Sequence, residues 1–212
     1  MIRRRGMTLV ELLVTIAIGG IVLAMAFQAW LATSRATDAT NTRLALRQHG
    51  MNVVQRVERV LRFRVPPAEV IVPAGQAPPA EVFQADRIAV VSTALSDETT
   101  RARVLLVSET DADSVADRLM MGQGPLTADA TTEATEKVGP SSDKFRTEVR
   151  FRYGFDWDGK VAWNDTATSA PDLVRISLRT WPRDERRPRF EDATDHGGRP
   201  LGLEFDTVVR MP

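Results

Sequence analysis

The chain opens on three cations, Arg3, Arg4 and Arg5, closed by Gly6, and passes directly into an apolar run from Met7 to about Phe27. That run limits the fold more than any other feature. About 20 consecutive apolar residues span a bilayer core of ~30 Å as a helix. Gly19, Gly20, Ala17, Ala24 and Ala26 place small residues in its middle, where they allow close approach of a second helix. No proline falls in the span, so no fixed kink is implied. One carboxylate, Glu11, lies near its start. A charge within such a run costs ~2.5–3.5 kcal/mol or more at the helix centre, which makes Glu11 the first functional candidate.

The cations stay on the cytoplasmic side by the positive-inside rule, and the rest of the chain faces the opposite compartment. An ordinary secretory signal is a rival reading, because Ala24-Met25-Ala26 is an A-x-A-like site behind an apolar region. Against it stand the length of the apolar run, which exceeds the usual ~7–15 residues, and the presence of Glu11. Two roles are open for that carboxylate. It can reach the headgroups, being about one turn from the membrane edge. It can instead meet a cation, since desolvated charges are tolerated mainly in pairs.

The succession of basic leader, Gly6, Met7 and Glu11 ahead of a long apolar stretch resembles the class III signal of type IV pilins and type II secretion pseudopilins. The resemblance covers roughly the first 30 residues. Met7 stands where the family more often has Phe. The family implies a cut after Gly6 by a membrane prepilin peptidase and methylation of the new amine on Met7. It also implies contact between Glu11 and the N-terminal amine of a neighbouring subunit. Many pilins carry a proline near the middle of this helix, and this chain does not.

From Gln28 to about Arg64 there is no proline, and Gly50 is the only strong helix breaker. An apolar stripe of Leu46, Gly50, Val53, Val54, Val57, Val60 and Leu61 has helical spacing. Arg56, Arg59 and Arg62 fall on the other side, and Glu58 and Arg62 form a favourable i, i+4 pair. This basic face is either solvated or a contact for an acidic subunit. Pro66-Pro67 ends the helix. Taken as continuous from Met7, the helix is ~58 residues and ~87 Å long. His49 lies beside the stripe and receives no role.

Beyond Val65 the pattern changes. Residues 68–80 read as a Pro- and Ala-rich connector. Residues 88–93 and 104–107 are β-branched runs read as strands, with a turn over 96–101. Residues 112–121 read as a short helix ended by Gly122 and Gly124-Pro125, and residues 127–144 as a mobile loop. Residues 145–155 alternate apolar and charged, as a half-buried strand does. Asp158-Gly159 marks a hairpin turn, with residues 161–163 as the return strand. Residues 173–181 alternate again, residues 182–200 are charged and turn-rich, and a last strand starts at Leu201. The expected architecture is α+β, a long N-terminal helix packed on antiparallel sheet. The expected divisions are a leader at 1–6, a transmembrane helix at 7–30, its periplasmic continuation at 31–65 and a β-rich domain at 66–212. The strand at 171–178, the strand at 203–209 and the terminal Met211-Pro212 are similar to the J-type minor pseudopilins.

Several function classes lose support. The chain has no cysteine, so it has neither disulfides nor a thiolate metal site. It shows no Gly-x-Ser-x-Gly, no phosphate-cradling glycine loop and no His-rich ligand set, and no catalytic role is expected. Residues 1–64 hold ten arginines against three carboxylates, and the remainder is acidic. That balance argues against nucleic acid, outside a DNA-uptake fibre. Asp156 and Asp158 read as turn residues. Asp184, Glu185, Glu191, Asp192 and Asp195 lie among arginines, which leaves calcium a minor alternative to mutual neutralisation. No cofactor and no small-molecule substrate are expected. The resemblance implies an inner-membrane, single-pass minor pseudopilin with a periplasmic C-terminal domain, working with other pseudopilins. A minor pilin of a type IV pilus or DNA-uptake fibre is the alternative, and a periplasmic binding or enzyme domain cut after Ala26 is the rival from another class.

Overall fold

The computed structural model describes residues 8–72, 74–75, 77–93, 101–110, 116–126, 133–140, 143–183 and 202–212. The chain divides into two compact units, residues 1–43 and 44–212. Helix α1 runs Leu9–Arg62 and supplies residues to both.

In the first unit α1 is exposed along its whole apolar stretch. None of its most apolar window is buried, and the helix is long and apolar enough to cross a membrane. Leu9 is 74% and Leu23 73% exposed. Residues 31–43 are rich in Ala, Thr and Ser, poor material for an isolated surface helix. Their hydroxyls do not compete with the helix, because they bond back onto it. Thr33, Thr37, Thr40 and Thr42 donate to the carbonyls of Ala29, Thr33, Ala36 and Asp38 at 2.8–2.9 Å.

In the second unit the expected stripe turns inward. Leu46, Val53, Val57, Val60 and Leu61 are fully buried, Gly50 is buried and Val54 is half-buried. Fully burying such a side chain contributes ~1.5–3 kcal/mol each. Helix α1 ends at Arg62, and a 3-10 turn at Pro67–Glu69 follows the two prolines.

Two antiparallel sheets complete this unit. The first has the order β1 (Val82–Gln84), β2 (Arg87–Ser92), β3 (Ala102–Thr110), β4 (Ala116–Gly124), β5 (Glu136–Lys137). The second has the order β7 (Lys160–Asn164), β6 (Phe145–Trp157), β8 (Leu173–Pro182), β9 (Leu203–Arg210). The stripe of α1 shares one core with Val104, Leu106, Leu119 and Met121 of the first sheet and Val149, Phe151, Val174, Ile176 and Leu178 of the second. This is the expected α+β architecture, helix on antiparallel sheet. Gly50 is required by a close approach: a Cβ there would lie 2.2 Å from Cε2 of Phe205 on β9.

The strongly alternating segments form strands as expected. On β6 the odd residues from Phe145 to Tyr153 are buried and Arg150 and Arg152 are exposed. Asp158 and Gly159 turn the β6–β7 hairpin with φ of 53° and 75°, a conformation that suits Gly and Asp.

Two expectations are overturned. Residues 116–124 are strand β4, not the end of a helix, paired with β3 from Thr110↔Ala116 to Arg103↔Gly124. Ala, Leu and Met favour helix, yet Leu119 and Met121 both reach the core from one face of a strand. Gly122 is not a helix stop, since a Cβ there would lie 2.1 Å from the carbonyl oxygen of Glu133. Within the segment read as a mobile loop, residues 133–140 hold β5, which pairs with Met120 and Met121 of β4. The turn expected at 96–101, apart from Arg101, and most of the charged stretch 182–200 lie outside the described residues.

Candidate processing and assembly segment

Thr8 is the N-cap of α1, and Leu12 N–H donates to its carbonyl at 3.1 Å, closing the first helical bond. Glu11 occupies the third helical position. Its Oε2 accepts from the Thr8 N–H at 2.9 Å and from the Thr8 hydroxyl at 3.0 Å. The Thr8 hydroxyl oxygen accepts in turn from the Glu11 N–H at 3.3 Å. This is a reciprocal capping box, in which two orphan amide donors of the first turn are satisfied by side chains. The carboxylate also stands at the positive end of the helix dipole. Thr15, one turn on, donates its hydroxyl to the Glu11 carbonyl at 2.7 Å.

Sequence reading identified Glu11 and missed its local partner. The signal was present: threonine three residues before glutamate, at the start of an apolar run, is the sequence form of a capping box. Arg3, Arg4, Arg5, Gly6 and Met7 lie outside the described residues. Residues 1–27 match the family model described as the prokaryotic N-terminal methylation motif. Over these residues the chain is type IV pilin-like. No curated protein and no solved structure matches it. For a pilin-like chain, the exposed apolar stretch of α1 fits anchoring in the inner membrane, and the motif goes with processing by a prepilin peptidase and assembly with other pilins.

Among the described residues elsewhere there is no comparable constellation. Among the described residues no group of three or more His, Asp or Glu could hold a metal ion. Asp156 spends its Oδ1 on the Gly159 N–H at 3.1 Å, which is turn chemistry. Asp184, Glu185, Glu191, Asp192 and Asp195 lie outside the described residues.

The basic face of α1 is partly occupied. Arg56 pairs with Glu136 at 3.0 Å, whereas Arg59 is exposed and Arg62 stands 4.0 Å from Glu58. Glu58 also accepts from the Thr207 hydroxyl of β9 at 2.9 Å. Just past the helix, Arg64 grips Glu81 by two bonds of 2.6 and 2.7 Å, with side chains 3% and 9% exposed. Its third nitrogen donates to the Pro212 carbonyl at 3.4 Å. One cation thereby joins the helix end, the residue just before β1 and the tail of the last strand.

Proposed function

We propose that this chain is a minor pseudopilin of a type II secretion-like machine, a structural subunit and not an enzyme. Its leader is cut after Gly6, Met7 is methylated, and residues 7–30 hold the subunit in the inner membrane by a single pass. Residues 31–65 continue the helix into the periplasm, and residues 66–212 form a periplasmic domain that works with other pseudopilins to drive protein export. Arg3, Arg4 and Arg5 set the topology. The reading calls for no cofactor, no small-molecule substrate and no nucleic acid.

The observation that supports the reading best is the Thr8–Glu11 cap inside a stretch that matches the methylation motif. A glutamate at the third helical position is positioned by its own first turn before any partner arrives. It then meets a neighbour's cationic amine with its orientation already fixed, and breaking one side of such a desolvated pair costs ~3–5 kcal/mol. Two variants separate this assembly role from capping. Thr8→Val removes the hydroxyl half of the cap, worth ~1 kcal/mol, and leaves the carboxylate. Glu11→Leu removes the carboxylate and leaves the Thr8 hydroxyl on the N–H of residue 11. The expected outcome in membranes is processing and insertion of both variants, with cross-linking to partner pseudopilins retained in Thr8→Val and lost in Glu11→Leu. Equal cross-linking and export in the two would reject the assembly role. Loss of a surface fibre rather than of export would assign the subunit to a pilus.

A further inference from the structure

The two-residue strand β5 belongs to a short strap, residues 135–140, that lies across β4 and α1 within the second unit. Thr135 N–H donates to Met121 carbonyl at 3.1 Å, Val138 N–H to Leu119 carbonyl at 2.9 Å, and Glu136 pairs with Arg56. Val138 sits in the core, 3% exposed. Gly139 then passes directly over the ring of His49 with φ of 106°. A Cβ there would lie 2.5 Å from His49 Cε1 and 2.8 Å from Nδ1, so the backbone rests on the imidazole.

His49 itself is fully buried. Its Nε2 lies 3.0 Å from the Thr147 hydroxyl, its ring packs on Phe145 at 5.5 Å, and its Nδ1 has no partner. A buried nitrogen without an acceptor is tolerable on a neutral ring and costly on a cationic one. Among the described residues beside the ring, no group compensates a charge. The cleft of about 370 Å³ beside the ring is lined by Ala45, Gln48, Met51, Asn52, Gln55 and Pro140, none of them ionisable.

The charged groups of the elements packed around the ring are engaged or turned away. On α1, Arg47 is exposed, Arg56 holds Glu136, and Glu58 holds Thr207. On the strap and just after it, Lys137 pairs with Asp143 at 2.5 Å. On β6, Arg146 and Glu148 occupy the face opposite to Phe145 and Thr147. On β9, Glu204 and Asp206 alternate outward from Phe205 and pair with Arg179 and Arg175. Burial accordingly holds the His49 pKa below its ordinary value.

We propose that His49 and the strap over it form an acid-sensitive latch: the neutral ring seats Gly139, and protonation unseats residues 135–140 from the helix. The sign follows from linkage. A histidine whose folded-state pKa is lowered favours the closed state above the unfolded value of about 6.5, and that contribution is lost as pH falls through it. One proton changes the opening equilibrium by at most about tenfold per pH unit. Release uncovers the flank of α1 beside the cleft.

The chain has two histidines, His49 and His196, which makes the test clean. Full-length protein in detergent is followed by hydrogen exchange between pH 7.5 and 5.0, each rate divided by its intrinsic value. In the wild type and in His196→Gln, protection of the Val138 amide is expected to fall by up to about tenfold per unit below pH 6.5. Ile176, in the centre of the second sheet, is expected to keep its protection, and His49→Gln is expected to show no pH step at Val138. Equal Val138 protection at both pH values in the wild type overturns the latch, and so does loss at Ile176 in parallel with Val138. If His49→Gln does not fold, ring NMR of the wild type decides. A His49 titration in step with shifts of the strap amides supports the latch, and a titration without them overturns it.

Discussion

The side chains of α1 find their partners in different places along its two stretches. Up to Arg43 the helix supplies its own partners: Thr8 and Glu11 cap its first turn, and five threonines bond back one turn. Its most apolar window is left uncovered. From Leu44 to Arg62 the helix instead takes its partners from sheets, through Phe205, Thr147, Thr207 and Glu136. One regular element thus serves two environments. Up to Trp30 it suits a solvent that offers no hydrogen bonds, as lipid does. Its second stretch draws stability from packing, as most helices in globular proteins do. The difference teaches where substitutions should matter.

The largest expected effect is at Val57, in the middle of the buried stripe. Val57→Asp places an unpaired charge in the core, at a cost on the order of 5 kcal/mol or more, enough to unfold a domain of ordinary stability. Circular dichroism of the purified variant should show no cooperative melt. An unchanged melt would mean that this stripe does not carry the second unit.

Next comes the Arg64–Glu81 pair. Arg64→Ala leaves Glu81 buried and unpaired, a loss of ~3–5 kcal/mol read from the urea midpoint. The double variant with Glu81→Ala should recover part of that loss, because the stranded charge is gone. A double variant as weak as the single one would show that the side chains matter for packing and not for charge.

The smallest effect is expected on the other stretch. Thr37→Ala removes a hydroxyl that bonds only to its own helix and introduces a better helix former, so stability should stay within about 0.7 kcal/mol of the parent. A larger loss would reveal a partner for this face. Deleting residues 1–27 should likewise leave the melting temperature of the second unit unchanged.

Much of this was legible in the sequence because one face of each element carried its own periodicity. The stripe from Leu46 to Leu61, the alternation along β6, β8 and β9, and the Asp158-Gly159 turn each read correctly from local pattern. β4 did not, since its Ala, Leu and Met favour helix and its glycines imitate a stop. Only the neighbouring strand β3 and the approach of Glu133 explain them. β1 and β5, at three and two residues, are too short to carry a period. At the N-terminus, Glu11 stood out by its charge, whereas its bond to Thr8 was hidden behind the expectation that a carboxylate in an apolar run must look outward. His49 was passed over because a lone histidine has no spacing to read. Its burial and its unpartnered nitrogen appear only once β6 and the strap are in place.

The central claim is that Arg3 to Glu11 is a processing and assembly signal. The intact mass and N-terminal peptide of the protein isolated from its native host test it most directly. The account predicts a chain that begins at Met7 and carries one methyl group on that amine. A chain that begins at Phe27, or one that retains Met1, would contradict it.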